Sequence, residues 1–371
     1  MTNNNNQDYI DLRESFAQDY PPEFEPAPPP EFEPPKPEFN FGPKNSNFFM
    51  LILISGAVIA PFLVINALTL ISSLVHGFNI TQIPTWAWGL GSQIMLLGVP
   101  CTIYLIIKRK QIKDILPFRP LGWRNTLMIV VLTLVLIPPL YFVNIVSQLV
   151  FPNVIGEVME GVMQEGGIWL SLVIFAFVAP VFEEIAFRGI GFAGFRHVKI
   201  GTAAIINGLI FGFLHMNMNQ FIYAFLGGVV FCYMMYYTKS IWAPILSHFV
   251  VNAFGALMQF FLLHGDSVDF QAVAEVDIPA GGAETVGILI GMGFFALISM
   301  AVFIGFYILF KRHNLRRNEA EGIITNTAVA ARQAGLRPPK AFTWSFWVAA
   351  GIFVFMMLLI YIILPMVEIN L

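Results

Sequence analysis

Two adjacent carboxylates, Glu183 and Glu184, stand with Arg188 inside an otherwise apolar stretch. Of the 43 Asp, Glu, Lys and Arg residues in the chain, these three alone fall within its apolar segments. An ionised group at membrane depth costs roughly 2.5–3.5 kcal/mol on insertion scales, so a cluster of three marks a site. Adjacent residues on a helix point about 100° apart, which sends Glu183 and Glu184 in different directions. Glu184 and Arg188, four apart, can pair along one face and leave Glu183 free to face a cavity. Further on, Asn207, Phe211 and His215 form a stripe at intervals of four, and His248 precedes Asn252 by four. A carboxylate beside two imidazoles and an amide, sheltered from bulk water, suits hydrolysis of an acyl bond. The carboxylate takes a proton from water, and imidazole and amide donors stabilise the oxyanion. The same groups also suit a proton or ion site for transport, or plain interhelical packing.

Such residues need long apolar helices to carry them, and the composition supplies them. The chain is 57% hydrophobic and 12% charged, with a mean hydropathy of +0.72. Soluble domains average about 25% charged residues. The expected fold class is therefore all-α, a polytopic transmembrane helical bundle with a disordered N-terminal tail. Nine spans are expected, at about 48–75, 87–107, 126–150, 168–195, 201–219, 221–237, 241–262, 285–310 and 342–364. Most approach the roughly 20 residues that a spanning helix needs; 201–219 and 221–237 are short and nearly touch. With a fourth span ending near Phe195, Glu183 lies about 18 Å from that end, at 1.5 Å per residue. On the same count His215 lies about 21 Å deep, His248 about 10 Å and Asn252 about 16 Å. Pro180, three residues before Glu183, removes a backbone donor and can bend the helix beside the carboxylate.

Lys and Arg set the orientation. The loop 108–125 carries six of them and 311–340 carries seven, while 76–86, 151–167 and 263–284 carry none. With nine spans every basic loop falls on one side, which makes the N-terminus cytoplasmic and the C-terminus external. The tail, residues 1–46, holds nine acids, three bases and repeated Pro-Pro-Glu-Phe-Glu-Pro at 21–26 and 29–34. It reads as a disordered, polyproline-like cytoplasmic spacer, or as a docking motif for a binding partner with its phenylalanines as anchors. No cleavable signal peptide is expected ahead of the first span. The chain divides into this tail, spans 1–3 at 47–167, a core at 168–262, and a C-terminal loop with spans 8 and 9 at 263–371. Cys101 and Cys232 both lie in apolar segments and read as small buried hydrophobes, not as a disulfide or metal knuckle.

The order Glu183-Glu184-x-x-x-Arg188-Gly189, Phe211-x-x-x-His215, His248-x-x-x-Asn252 resembles the signature of the CPBP family. That group comprises CAAX prenyl endopeptidases and bacteriocin-processing or Abi-type proteins. The resemblance runs from about Ile174 to Phe254 and takes in Thr238-Lys239-Ser240-Ile241-Trp242, where a glycine is common at the position of Lys239. It implies an intramembrane endopeptidase in which Glu183 activates water and His215 helps to orient it. His248 and Asn252 would form the oxyanion hole, while Glu184, Arg188 and Phe211 hold the architecture. Members have been described both as metalloproteases and as metal-independent glutamate proteases. No cofactor is expected here; a zinc-type site would have to use Glu183, His215 and His248, within about 2 Å of one ion. The implied partners are a membrane-associated peptide or protein, prenylated or bearing a leader, and the lipid bilayer of a bacterial cell, with no nucleic acid. Two rival functions are a transporter or channel using the Glu pair, and a silent immunity or scaffold relative. Transporters often repeat their broken-helix site, and no second copy of these motifs is present. Loss of a motif residue would mark a silent relative, yet each is present.

Overall fold

The computed structural model describes residues 42–76, 78–264, 283–335 and 337–365. The expectations for the tail up to residue 41, and for most of the acidic loop 263–284, lie outside the described residues. The described part is all-helical, with eight helices long and apolar enough to cross a membrane. They are α1 (Pro43–Leu74), α2 (Thr85–Ile107), α3 (Trp123–Gln148), α4 (Val154–Gly191), α6 (Met218–Thr238), α7 (Trp242–His264), α8 (Ala283–Ala320) and α9 (Trp344–Ile363). Between α4 and α6 lies α5 (Ile200–Leu214), apolar but only 15 residues long. Fifteen residues rise about 22 Å, short of the roughly 30 Å hydrocarbon core of a bilayer. The chain is an integral, multi-pass membrane protein; nine spans were expected, and the described residues hold eight helices of spanning length and a short ninth apolar helix.

Several boundaries differ from the sequence reading, and three of them have a plain physical reason. Helix α1 starts at Pro43, because proline suits the first helical turn, and Ser46 and Asn47 are buried there. Helix α4 starts at Val154, well before 168. Its first turns are amphipathic, with Val158, Val162 and Met163 on one side and Glu157, Glu160 and Gln164 elsewhere, so low hydropathy hides a helix. At Gly167, with φ +69°, the backbone breaks from helical geometry before the apolar run begins. Helix α8 continues to Ala320, which turns part of the basic loop 311–340 into helix.

Three spans contain wide π-helical turns, and a proline follows closely in each; in α9 the segment Leu359–Ile363 ends two residues before Pro365. In α2 the π segment Ile94–Gly98 ends two residues before Pro100, and in α4 the segment Leu172–Val178 ends two residues before Pro180. A proline has no N–H for the carbonyl four residues back, so the ladder skips one residue and the turn widens. A second π segment in α4, Ile185–Gly191, follows at once. Glu183 and Glu184 thus end a single α-helical stretch, Ala179–Glu184, set between two wide ones.

Helices α5 and α6 form a close hairpin. Gly208 and Gly212, four apart on α5, let its backbone touch α6: a Cβ on either would come within 3.0 Å of the Phe225 or Phe221 carbonyl oxygen. This small-residue packing is how apolar helices approach closely in lipid. The turn between them, His215-Met216-Asn217, places Met216 at φ +48°, a left-handed conformation that is uncommon outside glycine. Asn217 closes it by accepting the Gln220 N–H through its side chain.

At the other end of the bundle, basic side chains clamp the loops together. Arg119 donates to the Thr238 carbonyl and to Asn318, and Ile241 N–H donates to the Pro117 carbonyl. Lys239 caps α6 at φ +55°, with its ammonium donating to the Thr325 carbonyl and lying over the Tyr236 ring. Burial, with Arg196 and Arg119 nearby, pulls the Lys239 ammonium from its usual 10.5 down to about 8. Between those values the unfolded chain holds a proton that the folded chain has lost, so stability should rise with pH from about 8 to 10.5 and stay level below. Lys239→Gly removes both the charge and the left-handed strain. It should raise the melting temperature in detergent at pH 7 and flatten the rise above pH 8; an unchanged pH profile would discard this account.

Candidate active site

The close of α4 and the start of α7 bring three of the expected residues into contact. Arg188, fully buried, donates from one terminal nitrogen to Glu184 Oε1 at 2.9 Å, the expected pairing of residues four apart. Its guanidinium lies 4.4 Å from the Phe211 ring centroid and 5.3 Å from that of Phe231. Aromatic faces on both sides help to offset the cost of burying that charge. The same Glu184 oxygen also accepts from His248 Nδ1 at 2.8 Å, a contact that no spacing within either helix signals. Glu184 therefore joins α7 to α4 and fixes how the His248 ring points.

That orientation decides the rest. With Nδ1–H donated to a carboxylate, His248 turns Nε2 toward Glu183, whose Oε2 stands 3.7 Å away. Glu183 Oε2 is buried and has no hydrogen-bond partner among the described residues. His215 sits at the end of α5 rather than inside a span, as the residue that caps it. Its Nδ1 lies 2.9 Å from the Phe211 carbonyl. A carbonyl only accepts, so Nδ1 carries the hydrogen and Nε2 presents a lone pair. Phe211 meets both imidazoles edge to face, with centroids 5.0 Å from His215 and 5.8 Å from His248. It thereby spaces the two rings while also covering Arg188. Asn252 donates one amide hydrogen to the Phe175 carbonyl in the first π segment of α4, at 2.8 Å, and keeps a second N–H. Asn207 is buried and ties α5 to α4 through the Phe187 carbonyl, accepting in turn from the Cys232 thiol.

The observed helix ends also correct the depths. Measured from Gly191, Glu183 lies about 12 Å along α4, and His248 lies about 9 Å along α7 from Trp242. The sequence reading left these two about 8 Å apart in depth, because it carried α4 four residues too far. For the metal alternative, no three His, Cys, Asp or Glu side chains among the described residues are grouped to hold an ion. Glu183, His215 and His248 do not form a ligand set in this arrangement, and no step of the chemistry proposed for them runs through a metal.

One segment of the chain resembles known proteins. A family model described as "Type II CAAX prenyl endopeptidase Rce1-like" matches residues 165–254. The chain is 32% identical over 91 residues to "Putative membrane peptidase YdiL" of Bacillus subtilis (strain 168). That match covers 24% of this chain and 37% of the relative, so it spans little more than a third of the relative's length. No solved structure matches the chain. The segment matched by the family model holds every residue from Glu183 to Asn252 that the site uses, and over that segment the chain is similar to the type II CAAX prenyl endopeptidases.

Proposed function

We propose that the chain is an intramembrane endopeptidase of the glutamate type, which hydrolyses a peptide bond in a membrane-associated protein or peptide. The observation that carries this reading is the unpartnered Glu183 Oε2 held 3.7 Å from His248 Nε2. Two polar atoms at that separation can share one water molecule at about 2.8 Å from each. Glu183 accepts a proton from this water as its oxygen attacks the scissile carbonyl carbon. The His215 Nε2 lone pair accepts the other hydrogen and orients the nucleophile. His248 Nε2–H and the second Asn252 N–H donate to the developing oxyanion. This role requires a hydrogen on both His248 ring nitrogens, one donated to Glu184 and one to the oxyanion. The C–N bond then breaks as Glu183 returns its proton to the leaving nitrogen. No cofactor takes part in this scheme.

The family description and the site's place among apolar helices favour a substrate that is itself held in the bilayer, prenylated near its C-terminus or carrying an apolar leader. The distribution of Lys and Arg favours a cytoplasmic N-terminus and an external C-terminus, in a bacterial cell membrane like that of the Bacillus relative. The test compares peptide and membrane-protein termini in cells carrying the wild type or Glu183→Ala at equal abundance. New termini that depend on Glu183 are expected, and their sequences identify the substrate class. Identical termini, with both proteins folded, would reject a protease and leave a transporter or scaffold.

A further inference from the structure

Hydrolysis consumes water, and Glu183 lies among apolar helices that exclude it. Among the buried polar groups that the proposed chemistry leaves unused, one set joins α3 to α6. On α3, Tyr141, Asn144 and Ser147 follow one another at intervals of three, and on α6 Asn219 and Tyr223 are four apart, so each set lies along one helix face. The two stripes face each other. The Asn219 amide nitrogen lies 2.6 Å from Ser147 Oγ, 2.9 Å from Asn144 Oδ1 and 3.2 Å from the Asn144 carbonyl. Asn219 is fully buried, yet its Oδ1 has no partner among the described residues. Interhelical glue would use both ends of the amide; here three acceptors crowd the nitrogen and the oxygen is left bare. An orphaned buried oxygen of this kind is where an ordered water belongs.

The stripe leads from the surface to the site. Gln148, beside Ser147, is exposed, and both lie at the end of α3 away from the basic loops. One turn inward from Asn219, Tyr223 continues the same face of α6. The Tyr141 hydroxyl reaches α7 at Gly255, where an added Cβ would stand 3.4 Å from it, three residues beyond Asn252. The stripe thus begins at an accessible end, runs past the unpartnered oxygen of Asn219, and stops where Tyr141 meets α7 one turn from Asn252.

We propose that the facing stripes of α3 and α6 form the route by which water enters to reach Glu183, with Asn219 as its narrowest polar station. This rests on the reading of Glu183 as the water-activating group, but the route can be tested without any cleavage. In full-length protein carrying Cys101→Ala and Cys232→Ala, Tyr223→Cys places a thiol at the inner end. Silver ion, near water in size, is applied in detergent, and the protected thiol is read by alkylation after denaturation and mass spectrometry. Reaction at position 223 is expected, slowed by an order of magnitude or more when Asn219→Leu is added. Ser147→Leu serves as a second block should Asn219→Leu not fold. A thiol that silver does not reach, or one whose rate neither block changes, would overturn the route. Failure of the protease reading shows separately, as unchanged termini in cells with silver reactivity intact.

Discussion

Glu183→Gln is expected to abolish cleavage while leaving the protein folded. Glutamine keeps the shape of the side chain but cannot take a proton from water, and positioned general bases contribute about 10²–10⁴-fold to rate. The substitution leaves Glu184, Arg188 and His248 in place, and Glu183 Oε2 makes no hydrogen bond whose loss would unsettle the bundle. The measurement is single-turnover cleavage of a peptide drawn from the termini comparison, with melting in detergent followed in parallel. Activity retained by Glu183→Gln would remove Glu183 as the base and reopen the assignment of the site.

The second large effect is structural. Arg188→Ala leaves the fully buried Glu184 carboxylate facing His248 alone and empties the space between Phe211 and Phe231. Removing one partner of a buried pair costs about 3–5 kcal/mol, because the remaining charge is stranded. A marked drop in melting temperature is expected. Adding Glu184→Gln to Arg188→Ala should recover part of it, since the stranded charge is then gone. Glu184→Gln alone should lower cleavage as well as stability, because Glu184 also aims His248. Melting unchanged by Arg188→Ala would discard the ion pair as a structural element.

Much of this site is legible in the sequence because charge is so costly in an apolar helix that its presence alone gives an address. The spacing of four between Glu184 and Arg188 correctly anticipates their pairing, and Glu183 is left over as expected. What the spacing could not give is anything between helices. The hold of Glu184 on His248 and that of Asn252 on the Phe175 carbonyl depend on how α4 and α7 pack, and no periodicity within either helix encodes that. His215 was expected inside a span because hydropathy runs on smoothly through Leu214 and Met216. The helix ends there on local backbone geometry, with Met216 left-handed and Asn217 capping the next helix. The early start of α4 was readable in principle from the spacing of Val158 and Val162, but its acids masked it.

The wide turns of α4 carry a consequence for how the length of this helix can drift. A π turn amounts to an extra residue accommodated without breaking the helix. The run Leu172–Val178 can therefore lose one residue by tightening to α geometry, with the turns on either side keeping their outlook. A lineage could shorten the helix by one codon there and still present Glu183 and Glu184 as they stand here. The distance from Gly167 to Glu183 would then differ between two copies whose centres are alike.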